Sequence, residues 1–537
     1  MTDTIIVAPL LIPLFTAIAT LLARRRLRLQ QGVSLLGSVA YLVAVAVLFA
    51  RVVLPVGSTP RVLVYQVSNW PAPFGISLVA DALSVFMLVI AAVVTLAALV
   101  FAVVSIQPYG QRLSFHSLYH FLVLGVTGSF LTGDVFNLFV WFEVMLMASY
   151  VFVLFYSGPE HTRAALSYVV LNLVGSAVML LGIGGLYATT GTLNMADLAR
   201  RLSDPAAYGI DVAPVLGLAA LLFVVFALKA GLVPLHFWVP DAYAVAPTPI
   251  TAVLAGVVKK VGVYAIIRLY FTVFATASLP VFESVLHGTS ILSFFAPVLF
   301  VTAAASIIYG GLAAVGSDDL DRLLAYSSIG QVGFIVMPLA VAAAVSDPEL
   351  RALGVVAALV YSAAHALAKS LLFLTSGVVS ASFGTSSLDQ LGGVASWRPS
   401  LAGGAFVGML ALVGIPPLLG FFGKLFVFNV AVQVLTTNPV GGQLVLAVTL
   451  VGAVLTIAYT TRLWNAVFWG TRTRSTTGVV SRRPLAVQLT VVVGLAALVV
   501  AFGLGFQLVS VAAHAAAQAA TDTGAYVNGV GLMEVGR

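Results

Sequence analysis

With 537 residues, 61% of them hydrophobic and 8% charged, and a mean hydropathy of +1.11, the chain reads as an integral membrane protein and not as a soluble globule with a large core. The absence of cysteine excludes disulfides, thiolate zinc sites and cysteine-ligated iron–sulfur clusters, so any electron transfer belongs to another chain. The net charge of +7 is spread through short connections between apolar runs, which fits membrane topology and gives no sign of a nucleic-acid partner.

The apolar runs are long and rich in Leu, Ala and Gly. They predict an all-α, polytopic membrane protein and not the short alternating strands of a barrel. Fourteen spans are read, starting near residues 4, 31, 79, 113, 135, 163, 213, 249, 290, 327, 351, 401, 443 and 485. The first run, Thr4 to Ala23, has no basic region before it and no clear cleavage site after it, so it is taken as a retained helix. Arginines then set the orientation. If Arg24, Arg25, Arg26 and Arg28 are cytoplasmic, alternate connections place Arg112, Arg163, Arg322, Arg398, Arg472, Arg474, Arg482 and Arg483 inside as well. That is twelve inside against six outside (Arg51, Arg61, Arg200, Arg201, Arg351 and Arg537), so both termini are expected on the outer side of the plasma membrane. Three outer connections are longer, 55–76, 191–212 and 274–288, and Met195 to Leu202 is expected to form an amphipathic helix on the membrane surface.

Glu143, about eight residues into the fifth span, is the only glutamate set deep in a span. A charge at the bilayer centre costs about 2.5–3.5 kcal/mol on insertion scales, so Glu143 is expected to be protonated or to have a cationic partner. Lys229 is the obvious partner, although a purely structural ion pair would leave the remaining lysines unexplained. All five lysines, Lys229, Lys259, Lys260, Lys369 and Lys424, lie within apolar stretches of spanning length, whereas most arginines lie in connections. The chemistry matches this sorting. Arginine stays charged, while a buried lysine can load and release a proton.

Pro234 follows Lys229 by five residues and is expected to open the seventh helix beside it. His236 and Asp241, at the end of that span, are candidates for shaping an aqueous mouth. Lys259 and Lys260 point about 100° apart on a helix, so only one is expected to face a shared axis. Lys260 is favoured, with Lys259 turned to a partner helix or to a headgroup region. His365 and Lys369, four apart, share a face and are read as a proton relay, against the alternative of a packed core histidine. Asp81 and Asp134 stand near helix ends, where the helix dipole accounts for them. Neither a metal site nor a haem ligand pair is discernible, and no cofactor is expected.

A second break is expected at Gly414 to Leu425, where Pro416 and Pro417 precede Lys424. The two broken spans, the seventh and the twelfth, are an odd number of spans apart and so run in opposite directions. This spacing predicts two inverted five-helix repeats. The expected division is 1–112 for the first three helices, 113–275 and 289–470 for the repeats, 484–512 for the last helix, and 513–537 for a short tail.

The runs GDVFNLFVWFEVMLMASY, LKAGLVPLHFWVPDAY, PTPITAVLAGVVKKVGVYAIIR, DRLLAYSSIGQVGFIV, HALAKSLLFLTSG and GIPPLLGFFGKL, in this order, resemble the antiporter-like subunits of respiratory complex I and of the multisubunit Mrp sodium/proton antiporters. The likeness covers roughly residues 75 to 470 and leans to the D-type Mrp subunits. It implies fourteen helices, inverted repeats and a hydrated mid-membrane axis. Glu143 and Lys229 match the family's charged pair, Lys260 its eighth-helix lysine, His365 and Lys369 its eleventh-helix relay, and Lys424 its twelfth-helix ionisable residue. The resemblance implies a proton-translocating subunit of a cation/proton antiporter, a transporter and not an enzyme, working with other subunits, protons, sodium ions and membrane lipid. A proton-pumping subunit of a quinone reductase or membrane-bound hydrogenase is the alternative, and a non-conducting scaffold is the third.

Overall fold

A computed structural model of the chain describes residues 3–54, 61–279, 290–477 and 485–533. Arg482, Arg483, Arg537 and parts of the connections 55–76 and 274–288 lie outside the described residues. Among the described residues, thirteen helices are long and apolar enough to cross a membrane, and a further helical stretch over 108–131 follows the third. Counting that stretch as the fourth helix, the third is Ala82–Ser105, the fifth Val135–Val153, the sixth Pro159–Thr190, the eighth Thr248–Thr276, the tenth Leu320–Ala344, the eleventh Pro348–Phe383 and the thirteenth Pro439–Phe468. The tenth begins at Leu320 and not near 327, because Asp319 caps it by accepting from the Arg322 N–H at 2.9 Å. Its polar first turn hides that start from hydropathy. Pro159 and Glu160 do the same for the sixth.

Burial sorts the helices. The sixth and thirteenth turn large apolar side chains outward, with Leu181 69% and Val454 64% exposed, as a lipid-facing helix must. The eighth and eleventh are enclosed on all sides over their central residues. The interior therefore offers two helices whose central turns have no lipid face.

The seventh and twelfth helices are interrupted. Val212–Ala230 ends at Gly231, whose φ of +71° turns the chain, and a short helix, Trp238–Val245, completes the crossing. The Gly231 N–H donates to the Leu228 carbonyl and the Leu232 N–H to that of Ala227, a glycine-terminated helix end. The break thus begins at a left-handed glycine, three residues before Pro234. It is also better satisfied than a proline alone would leave it: Trp238 Nε1 donates to the Leu228 carbonyl at 2.8 Å, and the Val233 N–H donates to Ser306 Oγ at 2.9 Å. Pro399–Val413 ends in the same way at Gly414, φ +94°, before Leu419–Thr437 resumes. Close approach then locks the seventh helix to the eighth, since a Cβ on Gly262 would stand 2.5 Å from the Phe226 carbonyl oxygen.

One face of the molecule gathers both chain ends. Leu63–Gln66 and Ser77–Ala80 form an antiparallel hairpin in which Leu63 pairs with Ala80. The Asp3 N–H donates to the Val64 carbonyl, and the Met533 N–H donates to that of Ala72. The amphipathic segment is helical over Met195–Ser203, but Met195, Leu198, Ala199 and Leu202 are fully buried against protein, so it caps the helices beneath it and does not float on lipid. The last helix, Leu485–Leu504, is continued by Phe506–Thr521 past residue 512. Phe506 stacks on Phe422 with centroids 3.9 Å apart, and Thr272 Oγ1 donates to the Ala520 carbonyl at 2.8 Å. A final helix, Thr523–Val530, packs beside the hairpin.

Beneath this cap lies a buried ion pair. Asp81 does cap the third helix, accepting from the Ser84 N–H at 2.9 Å, but its other oxygen meets Arg268 at 2.5 Å with both side chains 1% exposed. The guanidinium also lies over the Tyr526 ring, 4.7 Å from its centroid. Asp81→Ala would strand a buried guanidinium and is expected to cost about 3–5 kcal/mol. Thermal unfolding in detergent would register the loss, and adding Arg268→Met should recover most of it. Gly231→Ala should cost about 1–2 kcal/mol for its left-handed backbone, before the clash of its Cβ with Val239 Cγ2 at 2.8 Å. The same measurement reads it, and an unchanged unfolding temperature would show that the turn is not held left-handed.

Candidate functional site

The five lysines and His365 lie along the enclosed helices and at the two breaks, with Glu143 to one side on the fifth helix. At one end, Glu143 is half-buried on the fifth helix, beside Leu118 and Phe121 of the fourth. Ser176 of the sixth helix donates to Glu143 Oε1. Two turns earlier on that helix, the Tyr168 hydroxyl accepts from Lys229 Nζ at 3.1 Å and bonds Ser149 Oγ at 2.9 Å. Among the described residues no ion pair joins Glu143 to Lys229. The sixth helix holds each of them by a hydroxyl, an arrangement that sequence reasoning on two charges missed.

Lys229 is fully buried in the last turn of the first half of the seventh helix, where the helix dipole favours a cation. The rings of Phe142, Tyr168 and Trp238 surround its amine, with centroids 5.5–5.6 Å away. Such a box can hold an ammonium without an anion.

The eighth helix widens into a π turn over Leu254–Val258 just before its two lysines. Lys260 Nζ donates to the Ala255 carbonyl at 2.8 Å and lies 2.5 Å from His365 Nδ1. The other ring nitrogen, Nε2, is 3.4 Å from Ser328 Oγ of the tenth helix. One helical turn beyond His365, Lys369 Nζ donates to the Leu324 carbonyl at 3.0 Å and to Ser327 Oγ. The pairing of His365 with Lys260 therefore crosses between helices, while Lys369 is held separately by the tenth. Lys259 does not reach a headgroup region: it is fully buried, with Nζ 3.4 Å from the Ser328 carbonyl oxygen.

One turn before His365, on the same face, Tyr361 donates to Gln331 Oε1. The Gln331 amide donates to Tyr459 at 2.6 Å and to Thr456 at 3.1 Å. Lys424 lies nearby at the second break, 4% exposed, its Nζ 5.1 Å from the Phe334 ring centroid and without a hydrogen bond to a described protein group. The signal for Tyr361 was in the sequence, at four residues before His365. Gln331, Ser327 and Ser328 were visible only as polar residues in an apolar run.

His236 is 4% exposed and packs on Phe237 and Tyr309, whereas Asp241 reaches the surface and pairs with Arg322 at 3.0 Å. No hydrogen bond or ion pair joins the two among the described residues. Hydrogen bonds thus gather the predicted residues into separate groups: Glu143 with Ser176, Lys229 with Tyr168, Lys260 with His365, and Lys369 with Ser327. Direct bonds do not link these groups to one another or to Lys424 among the described residues.

Residues 132–456 match the family described as NADH:quinone oxidoreductase/Mrp antiporter, TM. The D-type subunit of the Na(+)/H(+) antiporter of Alkalihalophilus pseudofirmus is 35% identical over 87% of this chain and 87% of its own length. The N-type subunit of the NADH-quinone oxidoreductase of Desulforudis audaxviator is 37% identical over 84% of this chain and 83% of its own. A polypeptide in the solved structure of the Mrp complex from Dietzia superposes with a TM-score of 0.83 at 26% identity, covering 98% of this chain and 99% of that one. By the breadth of these matches and the fold they share, the chain belongs to the NADH:quinone oxidoreductase/Mrp antiporter transmembrane family, with D-type subunits of sodium/proton antiporters among its relatives.

Proposed function

We propose that this chain is the proton-translocating subunit of a multisubunit Na+/proton antiporter of the plasma membrane, with both termini on the outer side. The observation that carries this reading is that all five lysines are buried at or between two helix breaks while Glu143 is the only deep glutamate among the described residues. Kinship with D-type antiporter subunits supports it, as does assembly with other subunits in the Dietzia relative. Residues 113–275 and 289–470 are taken as the two inverted repeats, one around each break. In this reading protons pass by way of Glu143, Lys229, Lys260, His365, Lys369 and Lys424.

Electrostatics gives the mechanism. A proton arriving at Lys229 strengthens its attraction to Glu143 and repels the next cation along. In a low-dielectric interior that repulsion reaches neighbouring sites. Each occupied site biases the next through Lys260 and His365 towards Lys369 and Lys424, with water carrying protons across the gaps. Membrane potential drives the flow at about 2.3 kcal/mol per charge per 100 mV.

The relative from Desulforudis favours a second reading, in which the same path is coupled to quinone reduction. The chain has no cysteine, so iron–sulfur centres would then belong to partner subunits.

Sodium-driven pH change in everted vesicles carrying the complete complex tests the proposal. At matched assembly, Lys229→Ala is expected to lower exchange by about 100-fold. Exchange that persists at the wild-type rate would remove Lys229 from the path and make the chain a scaffold. Proton movement that needs an electron donor and quinone, with none driven by sodium, would establish the redox-coupled reading.

A further inference from the structure

Neighbouring residues on a helix point about 100° apart, so one lysine of the Lys259–Lys260 pair would ordinarily face away from any shared axis. The eighth helix is enclosed on every side, and the direction away from His365 leads into the break of the seventh helix. A Cβ built on Gly231 would stand 3.1 Å from Lys259 Cε and 3.2 Å from Nζ, so the amine lies against the turn that ends the helix bearing Lys229. Glycine is needed there for room as well as for its φ of +71°.

The partners of Lys259 are poor for a structural cation. Its amine has a single acceptor, the Ser328 carbonyl oxygen at 3.4 Å, and the Tyr243 ring at 5.9 Å. No ion pair involves it among the described residues. A buried cation kept for packing alone is expected to have a carboxylate and a full set of acceptors. Tyr243 is itself buried, and its hydroxyl makes no hydrogen bond to a described protein group. Lys259 thus lies beside a tyrosine whose hydroxyl also has hydrogen-bonding capacity unused by described protein groups.

Ser328 touches both lysine branches. Its carbonyl meets Lys259, and its hydroxyl meets His365 Nε2 at 3.4 Å, while His365 Nδ1 meets Lys260 at 2.5 Å. We propose that Lys259 is a proton-carrying station in its own right, set between Lys229 and His365, so that the two lysines of the eighth helix act in series through Ser328 and the imidazole. This rests on the proton-translocation reading above. The transfer balances from the tautomer with hydrogen on Nδ1 and a neutral Lys260. The ammonium of Lys259 gives up one proton and its nitrogen keeps the electron pair. A water molecule bridging from the Lys259 amine takes that proton and passes one of its own to the Ser328 hydroxyl, as that hydroxyl yields its proton to the Nε2 lone pair. The Nδ1 proton then passes to the Lys260 amine, so one positive charge has moved from Lys259 to Lys260 and the ring is left protonated on Nε2.

The test uses the complete complex in everted vesicles, with Lys229→Ala as the reference for the underlying reading. Lys259→Met keeps the volume and removes the proton site, and Lys259→Arg keeps the charge but does not release a proton. Both are expected to assemble and to lose exchange by about 100-fold. Exchange at the wild-type rate in either variant, while Lys229→Ala is inactive, overturns the role of Lys259 and leaves the wider reading standing. Wild-type exchange in Lys229→Ala overturns both. Should neither Lys259 variant assemble, Ser328→Ala decides: a severalfold loss at normal assembly supports the series arrangement, and an unchanged rate overturns it.

Discussion

The interruption of the seventh helix is the constraint on which the rest of the interior depends. A helix end in the middle of a membrane exposes peptide groups that lipid cannot satisfy. Here the left-handed Gly231 closes the helix end, Trp238 Nε1 donates to the Leu228 carbonyl and Ser306 Oγ accepts from the Val233 N–H. Those bonds fix Trp238 beside Lys229 and leave the turn open to Lys259. Closure of the break and placement of two amines are thus one structural event.

The second constraint is the imbalance of charge. One half-buried glutamate cannot neutralise five buried lysines. The protein meets this with neutral partners: aromatic faces around Lys229 and beside Lys424, backbone carbonyls for Lys259, Lys260 and Lys369, and an imidazole for Lys260. Neutral acceptors stabilise an ammonium less than a carboxylate does, and they accommodate an amine that has lost its proton. A set of fixed ion pairs would do the opposite and hold every charge in place. Arg268 shows the contrast, since it is paired with Asp81 and serves to bind the third and eighth helices under the terminal cap.

Much of this is legible in the sequence. Hydropathy locates the spans, and Pro234, Pro416 and Pro417 announce the breaks near Lys229 and Lys424, although the breaks begin at the left-handed Gly231 and Gly414. The tenth and sixth helices begin earlier than expected because polar capping turns look like loops to a hydropathy window. Met195–Ser203 is recognisable as amphipathic, but its moment cannot tell lipid from protein as the apolar partner. The Asp81 cap is visible without its ion pair, since Arg268 lies 187 residues away.

What the sequence determined by itself was the membrane class, the approximate spans and the set of deep ionisable residues. These are local properties: transfer of a segment or a charge into lipid depends on the residues that carry it. Only the tertiary structure decided which group each amine meets. Ser176 reaches Glu143 across 33 residues and His365 reaches Lys260 across 105, and neither spacing has a periodic signature. Lys259 is the clearest case. Helical geometry separated it from Lys260, but enclosure of the eighth helix turned that separation inward, because a helix with protein on every side has no lipid face to which a second lysine could be sent.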